Sequence, residues 1–137
     1  MRVEVEPIRV LLQHPNPETS LRELAEILAE ESIGAALVRR SVVVEGAGSH
    51  PEGLVSERDI SRAIAAGLDP DATMASDVMA LDLAYAAPGE TILRVAQRML
   101  ANEIRHVPIR DHGVVIGVLS ERDVLRAFLQ EVQEHMN

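Results

Sequence analysis

Apolar residues recur at helical spacing in two stretches of the chain. Each stretch places them at positions i, i+3, i+4 and i+7, the spacing of one buried helix face. The first set is Leu21, Leu24, Ala25 and Leu28. The second set follows 71 residues later and is Ile92, Val95, Ala96 and Met99. We therefore expect two amphipathic helices, one in each half of the chain.

Short apolar runs rich in β-branched residues follow each of these helices, and such runs are typical of strands. They span residues 35–38 and 42–44 in the first half, and 106–109 and 114–119 in the second. A further helical pattern then begins in each half, with Ile60, Ala63 and Ile64 mirrored by Val124, Ala127 and Phe128. Each half is thus predicted as helix, strand, strand, helix, which makes the fold class α+β with two units that bury their sheets. The last residues, 131–137, are expected to fray.

The two halves also share residues. Gly-Leu-Val-Ser-Glu-Arg-Asp at 53–59 returns as Gly-Val-Leu-Ser-Glu-Arg-Asp at 117–123. The first half has a Gly-, Ser- and Pro-containing stretch at 45–53 that indicates an exposed loop before its motif. We therefore place a first repeat at 7–70 and a second at 71–137.

The Ser-x-x-Asp spacing of the motif allows two interpretations. One is a capping box, in which the serine hydroxyl accepts a hydrogen bond from the third helical amide and an acidic residue stands three positions on. The other is a ligand site, because helix N-terminal amides attract phosphate and glycine lets a ligand approach the backbone. The Asp could accept two hydrogen bonds from the vicinal diol of a ribose. Capping alone does not explain the shared Gly and Glu-Arg, which favours the ligand site.

Composition argues against several classes of partner. A net charge of −9 and an aromatic content of 1% provide neither the basic surface nor the stacking platform that nucleic-acid binding requires. The lack of cysteine fits a reducing compartment. The sequence shows neither the pattern of a signal peptide nor an apolar run of membrane-spanning length. We expect a soluble cytoplasmic protein with no nucleic-acid partner and no membrane partner.

Catalysis and metal binding are weaker interpretations. Ser120, His106 and Asp123 have the residue types of a hydrolytic triad, but a Ser and an Asp one helical turn apart are better explained by capping or ribose binding. The histidines are far apart in sequence and form no i, i+4 pair. We therefore expect no enzyme activity, no catalytic cofactor and no metal ion.

The whole pattern resembles the tandem CBS-domain pair, also called the Bateman module. The resemblance rests on Gly, two apolar residues, Ser, two further residues and Asp, which close a strand and open a helix in both copies. Ile-Arg-His-Val-Pro-Ile at 104–109 and Ser-Asp-Val-Met at 76–79 resemble flanking segments of the family. The resemblance implies that two tandem repeats pack as a pseudo-two-fold pair. It also implies that the protein is a regulatory module that senses the energy state of the cell. Such a pair binds AMP, ADP, ATP or a related adenosine compound in the cleft between the repeats.

The resemblance also implies ligand contacts in both motifs. The candidate residues are Ser56, Arg58, Asp59, Ser120, Arg122 and Asp123, together with Gly34 directly before the first predicted strand. The two aspartates would hold the ribose hydroxyls, and the two serines would contact phosphate or ribose. The two arginines would either bind the ligand or simply be exposed residues of the first helical turn.

The cations available to a phosphate differ between the two copies. In the family, residues just before the proline of the second strand often reach the phosphates, and in this chain these are Arg105 and His106. Their counterparts in the first copy are the uncharged Gly34 and Ala35. The second motif is therefore predicted to be the stronger anion site. The alternative for His106 is a partly buried strand histidine satisfied by a backbone carbonyl.

Two expectations concern protein partners. The predicted helix faces supply more apolar surface than short strands would cover, which predicts a symmetric homodimer formed through those faces. As a stand-alone module without a catalytic, transport or DNA-binding domain, the protein would pass its signal to an unknown effector protein. The alternative function is a purely structural pair that mediates oligomerisation or partner docking without a nucleotide.

Overall fold

The computed structural model describes residues 15–39 and 53–136. The described chain divides after Leu83 into two compact units. Both contain the predicted order of helix, strand, strand, helix. No helix in these described ranges is long and apolar enough to cross a membrane.

The first helix of the first unit, α1 (Leu21–Glu31), begins where the Ser20 side chain accepts a hydrogen bond from the Glu23 amide. Its apolar face packs into the core of this unit, with Leu21 and Leu24 fully buried. Ile27 is also buried, whereas Ala25 is exposed. The predicted face is therefore shifted by part of a turn, and the assignment of Ala25 to it is wrong.

Two antiparallel strands follow, β1 (Ala35–Val38) and β2 (Gly53–Ser56), with Ala35 opposite Ser56. Helix α2 (Glu57–Ala65) begins directly after β2. The strand predicted at 42–44 and almost all of the loop predicted at 45–53 lie outside the described residues. Within the described part, the strand that pairs with β1 is the start of the repeated motif itself.

Residues 71–83 pack with the first unit although they belong to the predicted second repeat. The Leu21 amide donates to the Thr73 carbonyl at 3.0 Å, and the Ala75 amide donates to the Thr19 carbonyl at 2.8 Å. Leu54 and Ala80 exchange two backbone hydrogen bonds, each of 3.0 Å. A short helix, α3 (Ala75–Val78), lies in this segment. The boundary between the compact units, after Leu83, thus differs from the boundary between the sequence repeats predicted at 70/71. The repeat boundary concerns sequence similarity and stays a prediction.

The second unit contains α4 (Ile92–Asn102), the antiparallel strands β3 (His106–Asp111) and β4 (Val114–Ser120), and α5 (Glu121–His135). Val107 and Leu119 face each other across the two strands and share a core with Val95 of α4 and Val124 of α5. Both helices therefore cover the same face of the hairpin. Helix α5 continues to His135, so residues 131–135, which were expected to fray, are helical in the structure.

Most residues of the apolar faces predicted to join two chains are instead buried inside each unit. Leu21, Leu24 and Val95 are fully buried, and Ile92 and Met99 are 4% and 5% exposed. They belong to the cores of the two units. These five side chains therefore cannot carry the predicted dimer contact, because a side chain that fills its own core has no surface left for a partner. Ile64, which belongs to the same predicted faces, is 55% exposed, and the homodimer itself stays a prediction.

Candidate functional site

Both copies of the motif lie where a strand passes directly into a helix. Strand β2 ends at Ser56 and α2 begins at Glu57, while β4 ends at Ser120 and α5 begins at Glu121. The placement predicted from the sequence is confirmed at both turns. It leaves the Ser and Asp half-buried and the Glu-Arg pair between them exposed.

Each turn is a complete capping box. In the second copy, Asp123 Oδ2 accepts hydrogen bonds from the Ser120 amide at 2.8 Å and from the Ser120 hydroxyl at 2.9 Å. The Asp123 amide in turn donates to Ser120 Oγ at 3.1 Å. Asp59 and Ser56 repeat these contacts at 2.8, 3.0 and 3.2 Å. The structural interpretation of Ser-x-x-Asp is therefore confirmed, and it fixes the orientation of both carboxylates.

Capping uses only one oxygen of the carboxylate. Both short contacts of Asp123 go to Oδ2, whereas Oδ1 lies 3.8 Å from Nη1 of Arg126. The Asp123 side chain is 41% exposed. A carboxylate oxygen has capacity for more than one hydrogen bond. The cap therefore leaves Oδ1 of an oriented, partly exposed carboxylate able to accept a hydrogen bond from an added hydroxyl donor, and the two interpretations of the motif are compatible.

The N-termini of α2 and α5 have fewer free backbone amides for an anion than the sequence suggests. The first helical amide of α2, that of Glu57, donates to the Gly34 carbonyl at 2.9 Å. The corresponding amide of Glu121 donates to the Arg105 carbonyl at 2.8 Å. The third amide of each helix is taken by the serine hydroxyl. Two of the first three amides are thus satisfied in each copy, so an anion at either turn would depend mainly on side-chain cations.

The same two hydrogen bonds confirm the sequence alignment between the copies. Gly34 and Arg105 occupy equivalent backbone positions, and the next residues, Ala35 and His106, stand opposite the motif serines in the strand pairing. His106 is half-buried, and the Arg105 side chain is 65% exposed. Arg105 and His106, the residues predicted to reach a phosphate in the second copy, are therefore adjacent to its motif.

An acidic group, Glu121, accompanies Arg105. Arg105 Nε lies 3.8 Å from Oε2 of Glu121, a loose contact between two exposed side chains. Exposed ion pairs of this kind stabilise little, because solvent screens them. A phosphate could therefore replace Glu121 as the partner of Arg105 at small cost.

The structure gives a packing reason for glycine at position 53 that the sequence does not reveal. A Cβ on Gly53 would lie 2.7 Å from Cγ and 3.0 Å from Cβ of Met79, closer than carbon atoms pack. The space beside this glycine is therefore filled by the segment after α3. The prediction that glycine leaves room for a ligand is wrong in the first copy.

The structure contains a polar cluster around Arg98 of α4 that could not be identified from the sequence. Arg98 donates to the Tyr85 carbonyl at 2.8 Å and to both oxygens of Glu90 at 3.0 and 2.7 Å. The hydrogen bonds from Arg98 lower the pKa of Glu90. The Arg110 guanidinium stacks 3.9 Å from the centre of the Tyr85 ring. Nothing in the spacing of these residues signals the contact, since they come from separate parts of the chain.

No group of three or more His, Asp or Glu in residues 15–39 and 53–136 is arranged to hold a metal ion. His14 and His50 lie outside those ranges.

A family model for the CBS domain matches the chain twice, at residues 16–66 and 75–130. A mitochondrial CBS domain-containing protein of Arabidopsis thaliana is 30% identical over 123 residues, which cover 87% of this chain and 57% of that protein. The chain thus spans little more than half the length of that relative.

Solved structures agree with this match. A CBS-domain containing protein of Agrobacterium tumefaciens is similar with a TM-score of 0.74 and 27% identity, over 83% of this chain and 81% of that one. The CBS domain pair of protein MJ0100, solved with 5′-methylthioadenosine and S-adenosyl-L-methionine, gives a TM-score of 0.68 at 22% identity. That likeness covers 91% of this chain and 99% of the other, and it shows a shared fold.

Proposed function

Since the chain belongs to the CBS domain family, with two such domains in tandem, we propose that it is a regulatory module that binds an adenosine-containing nucleotide and performs no chemistry itself. AMP, ADP and ATP are the proposed ligands. Occupancy would be passed to a separate effector protein. The observation that carries the proposal is the oriented, 41% exposed carboxylate of Asp123 in the capping box, whose second oxygen takes no part in the cap.

The chemistry of a ribose suits this carboxylate. The 2′ and 3′ hydroxyls are neighbouring donors, and a charged acceptor binds such donors about twice as strongly as a neutral one does. Asp123 needs no rearrangement to accept them, because Ser120 already holds its other oxygen at 2.8 to 2.9 Å. Preorganisation of this kind lowers the entropic cost of binding.

The second motif is proposed as the stronger site for the phosphates. Arg105 and His106 flank it, whereas Gly34 and Ala35 occupy the equivalent positions beside the first motif. Arg122 is exposed in the first turn of α5. In a chain of net charge −9, such a local group of cations is needed to hold an anion.

The relative solved with two adenosine compounds supports the ligand class. Both of its ligands, 5′-methylthioadenosine and S-adenosyl-L-methionine, contain a ribose diol and neither contains a phosphate. The shared feature is thus the adenosine portion. S-adenosyl-L-methionine therefore belongs among the ligands to be tested beside the nucleotides.

A structural CBS pair without a physiological nucleotide is the second candidate. One observation favours it: the capping box by itself accounts for the Ser and the Asp in both copies. Under this alternative, the protein would act only in oligomerisation or partner docking, and no adenosine compound would bind.

Calorimetry on the full chain separates the two candidates. We expect binding of at least one of AMP, ADP, ATP and S-adenosyl-L-methionine, and a loss of at least tenfold in affinity for Asp123→Asn. Asparagine keeps an oxygen for the Ser120 amide but loses the charged acceptor for the diol, and a hydrogen bond to a charged group contributes about 1.5 to 3 kcal/mol.

Asp77→Asn is the matched control for that experiment. Asp77 caps α3 by accepting a hydrogen bond from the Met74 amide at 2.9 Å, and it lies outside both motifs. Its replacement should leave the affinity unchanged. The absence of binding by the wild-type chain at millimolar ligand, or equal affinities of wild type and a folded Asp123→Asn variant, would reject the ribose site.

A further inference from the structure

Three arginines lie close to Tyr85 and Glu90 in the second unit and belong to neither copy of the motif. Arg98 donates to the Tyr85 carbonyl at 2.8 Å, and the Arg110 guanidinium lies 3.9 Å from the centre of the Tyr85 ring. The pKa of Glu90 is lowered first by the hydrogen bonds from Arg98 and, to a smaller extent, by the charge of the nearby Arg94. We call Tyr85, Arg94, Arg98 and Arg110 the arginine patch.

Two of these arginines have no carboxylate partner. Arg98 is engaged, because it donates to both oxygens of Glu90 at 3.0 and 2.7 Å. Arg94 and Arg110 are exposed, and within residues 15–39 and 53–136 their side chains form neither a hydrogen bond nor an ion pair. Asp111, the neighbour of Arg110 in β3, contacts a histidine instead. Two guanidinium groups therefore face solvent unpaired in a chain whose net charge is −9.

The Tyr85 ring restricts Arg110 and leaves its donors available. A guanidinium contacts an aromatic ring through its flat face, so that its N–H groups remain free at the edge. Those N–H groups match the two oxygens of a carboxylate or the oxygens of a phosphate. Because the ring contact holds the side chain before any partner arrives, less conformational entropy is lost on binding. Arg110 is thus preorganised to bind an anion.

The fold of the repeat does not require this combination of arginines. At an offset of 71 residues, the first unit has Glu23 in place of Arg94 and the buried Ile27 in place of Arg98. Only Arg110 has an arginine at its counterpart in the first unit. Both units nevertheless form the same order of helix, strand, strand and helix. The arginine patch is therefore a property of the second unit alone, which indicates a contact with something outside the fold.

An acidic protein segment suits the arginine patch better than other anions do. A nucleic acid or an anionic membrane would extend past the patch and meet the acidic remainder of the chain. A single small anion would gain little, because exposed ion pairs are screened by solvent. A flexible segment with several Asp or Glu side chains would contact Arg94 and Arg110 together, and linked contacts strengthen each other.

We propose that the arginine patch binds an acidic segment of a separate protein, with one carboxylate on Arg94 and another on Arg110. The Tyr85 ring positions Arg110 for this contact. The inference assigns a surface and a chemistry to the effector, and it rests on the proposed function only for the existence of that effector. It does not require a nucleotide, because the patch shares no residue with either motif.

The probe is a fluorescein-labelled peptide of about ten residues in which Glu alternates with Ser, added to the full chain at low salt. We expect saturable binding by fluorescence anisotropy, and weaker binding as salt is added. The same labelled peptide with Gln in place of Glu should not bind. Arg110→Lys should lower the affinity by about fivefold or more although the charge is kept, since lysine has no planar group to stack and no paired donors.

Two matched controls separate recognition from general charge. Arg62→Lys makes the same exchange at an exposed arginine of α2 in the first unit, and it should leave the affinity for the peptide unchanged. Tyr85→Phe keeps the ring and should also bind as the wild type does. Tyr85→Leu removes the ring but keeps the backbone carbonyl that Arg98 contacts, and it should weaken binding about as much as Arg110→Lys.

The proposal would be overturned by a wild type that does not bind the acidic peptide at millimolar concentration, or by equal affinities of wild type and Arg110→Lys. Inorganic phosphate serves as the competitor. Its displacement of the peptide at concentrations no higher than the dissociation constant of the peptide would show a site for small anions instead. Arg110→Lys should bind nucleotides as the wild type does, so a failure of nucleotide binding and a failure of peptide binding are measured independently.

Discussion

At the residue scale, the two motif aspartates show how far sequence reasoning reaches. The Ser-x-x-Asp spacing allows two interpretations, a capping box and a ribose-binding carboxylate. The capping box could be predicted from a short motif because it depends only on local backbone geometry. The hydrogen bonds confirm the cap at Asp59 and Asp123. The contact of Arg98 with Glu90 and Tyr85 could not be predicted, because it depends on how separate segments pack.

Arg105 provides the prediction at this scale. Arg105→Ala should lower the affinity for AMP by about threefold to tenfold and leave the affinity for adenosine unchanged, because only AMP carries a phosphate. The effect is small since the side chain is 65% exposed and screened by solvent. Calorimetry in low and high salt checks it, and the AMP affinity of the wild type should fall as salt is added. Equal losses for both ligands would mean that Arg105 supports the fold.

At the element scale, the predicted order of helix and strand is correct in both units, because each element has its own hydrophobic period. The exact face of α1 was predicted less well. Ala25 fits the period but is exposed, and Ile27 is buried. A period gives an approximate direction, and the packing of neighbouring elements decides which residue at the edge of the face is covered.

The packing of β2 against the segment after α3 yields the second prediction. Gly53→Ala should destabilise the protein by about 1 to 3 kcal/mol, since the added methyl group must displace Met79. The loss should be smaller when the same substitution is made in a Met79→Ala background. Urea unfolding of the four variants measures this difference. An equal loss in both backgrounds would show that the cost arises from the backbone of Gly53 instead.

At the scale of the whole molecule, the sequence repeats and the compact units of the structure have different boundaries. The repeat predicts a boundary near residue 70, but residues 71–83 are bound to the first unit by backbone hydrogen bonds and by the fully buried Ala75. Sequence similarity marks which segment was copied. It does not mark which neighbour that segment packs against, because that depends on contacts distant in the chain.

Truncation tests the packing boundary. A fragment of residues 1–83 should unfold cooperatively in urea and be more stable than a fragment of residues 1–70. The shorter fragment leaves the Leu21 amide and the Thr19 carbonyl without their partners, Thr73 and Ala75. Unsatisfied backbone groups and an uncovered core both lower stability. Equal stability of the two fragments would show that residues 71–83 contribute nothing to the first unit.

The capping box also affects how natural sequence variation in this module should be interpreted. Loss of Asp123 would remove a helix cap and a proposed ligand contact together, so selection for folding alone is enough to retain it. Among the residues that the structure describes, the side chain of Arg105 makes only the loose contact with Glu121, while its carbonyl accepts a hydrogen bond from the first amide of α5. Any residue has that carbonyl. The retention or loss of arginine at position 105 during evolution is therefore the more informative record of the proposed phosphate contact.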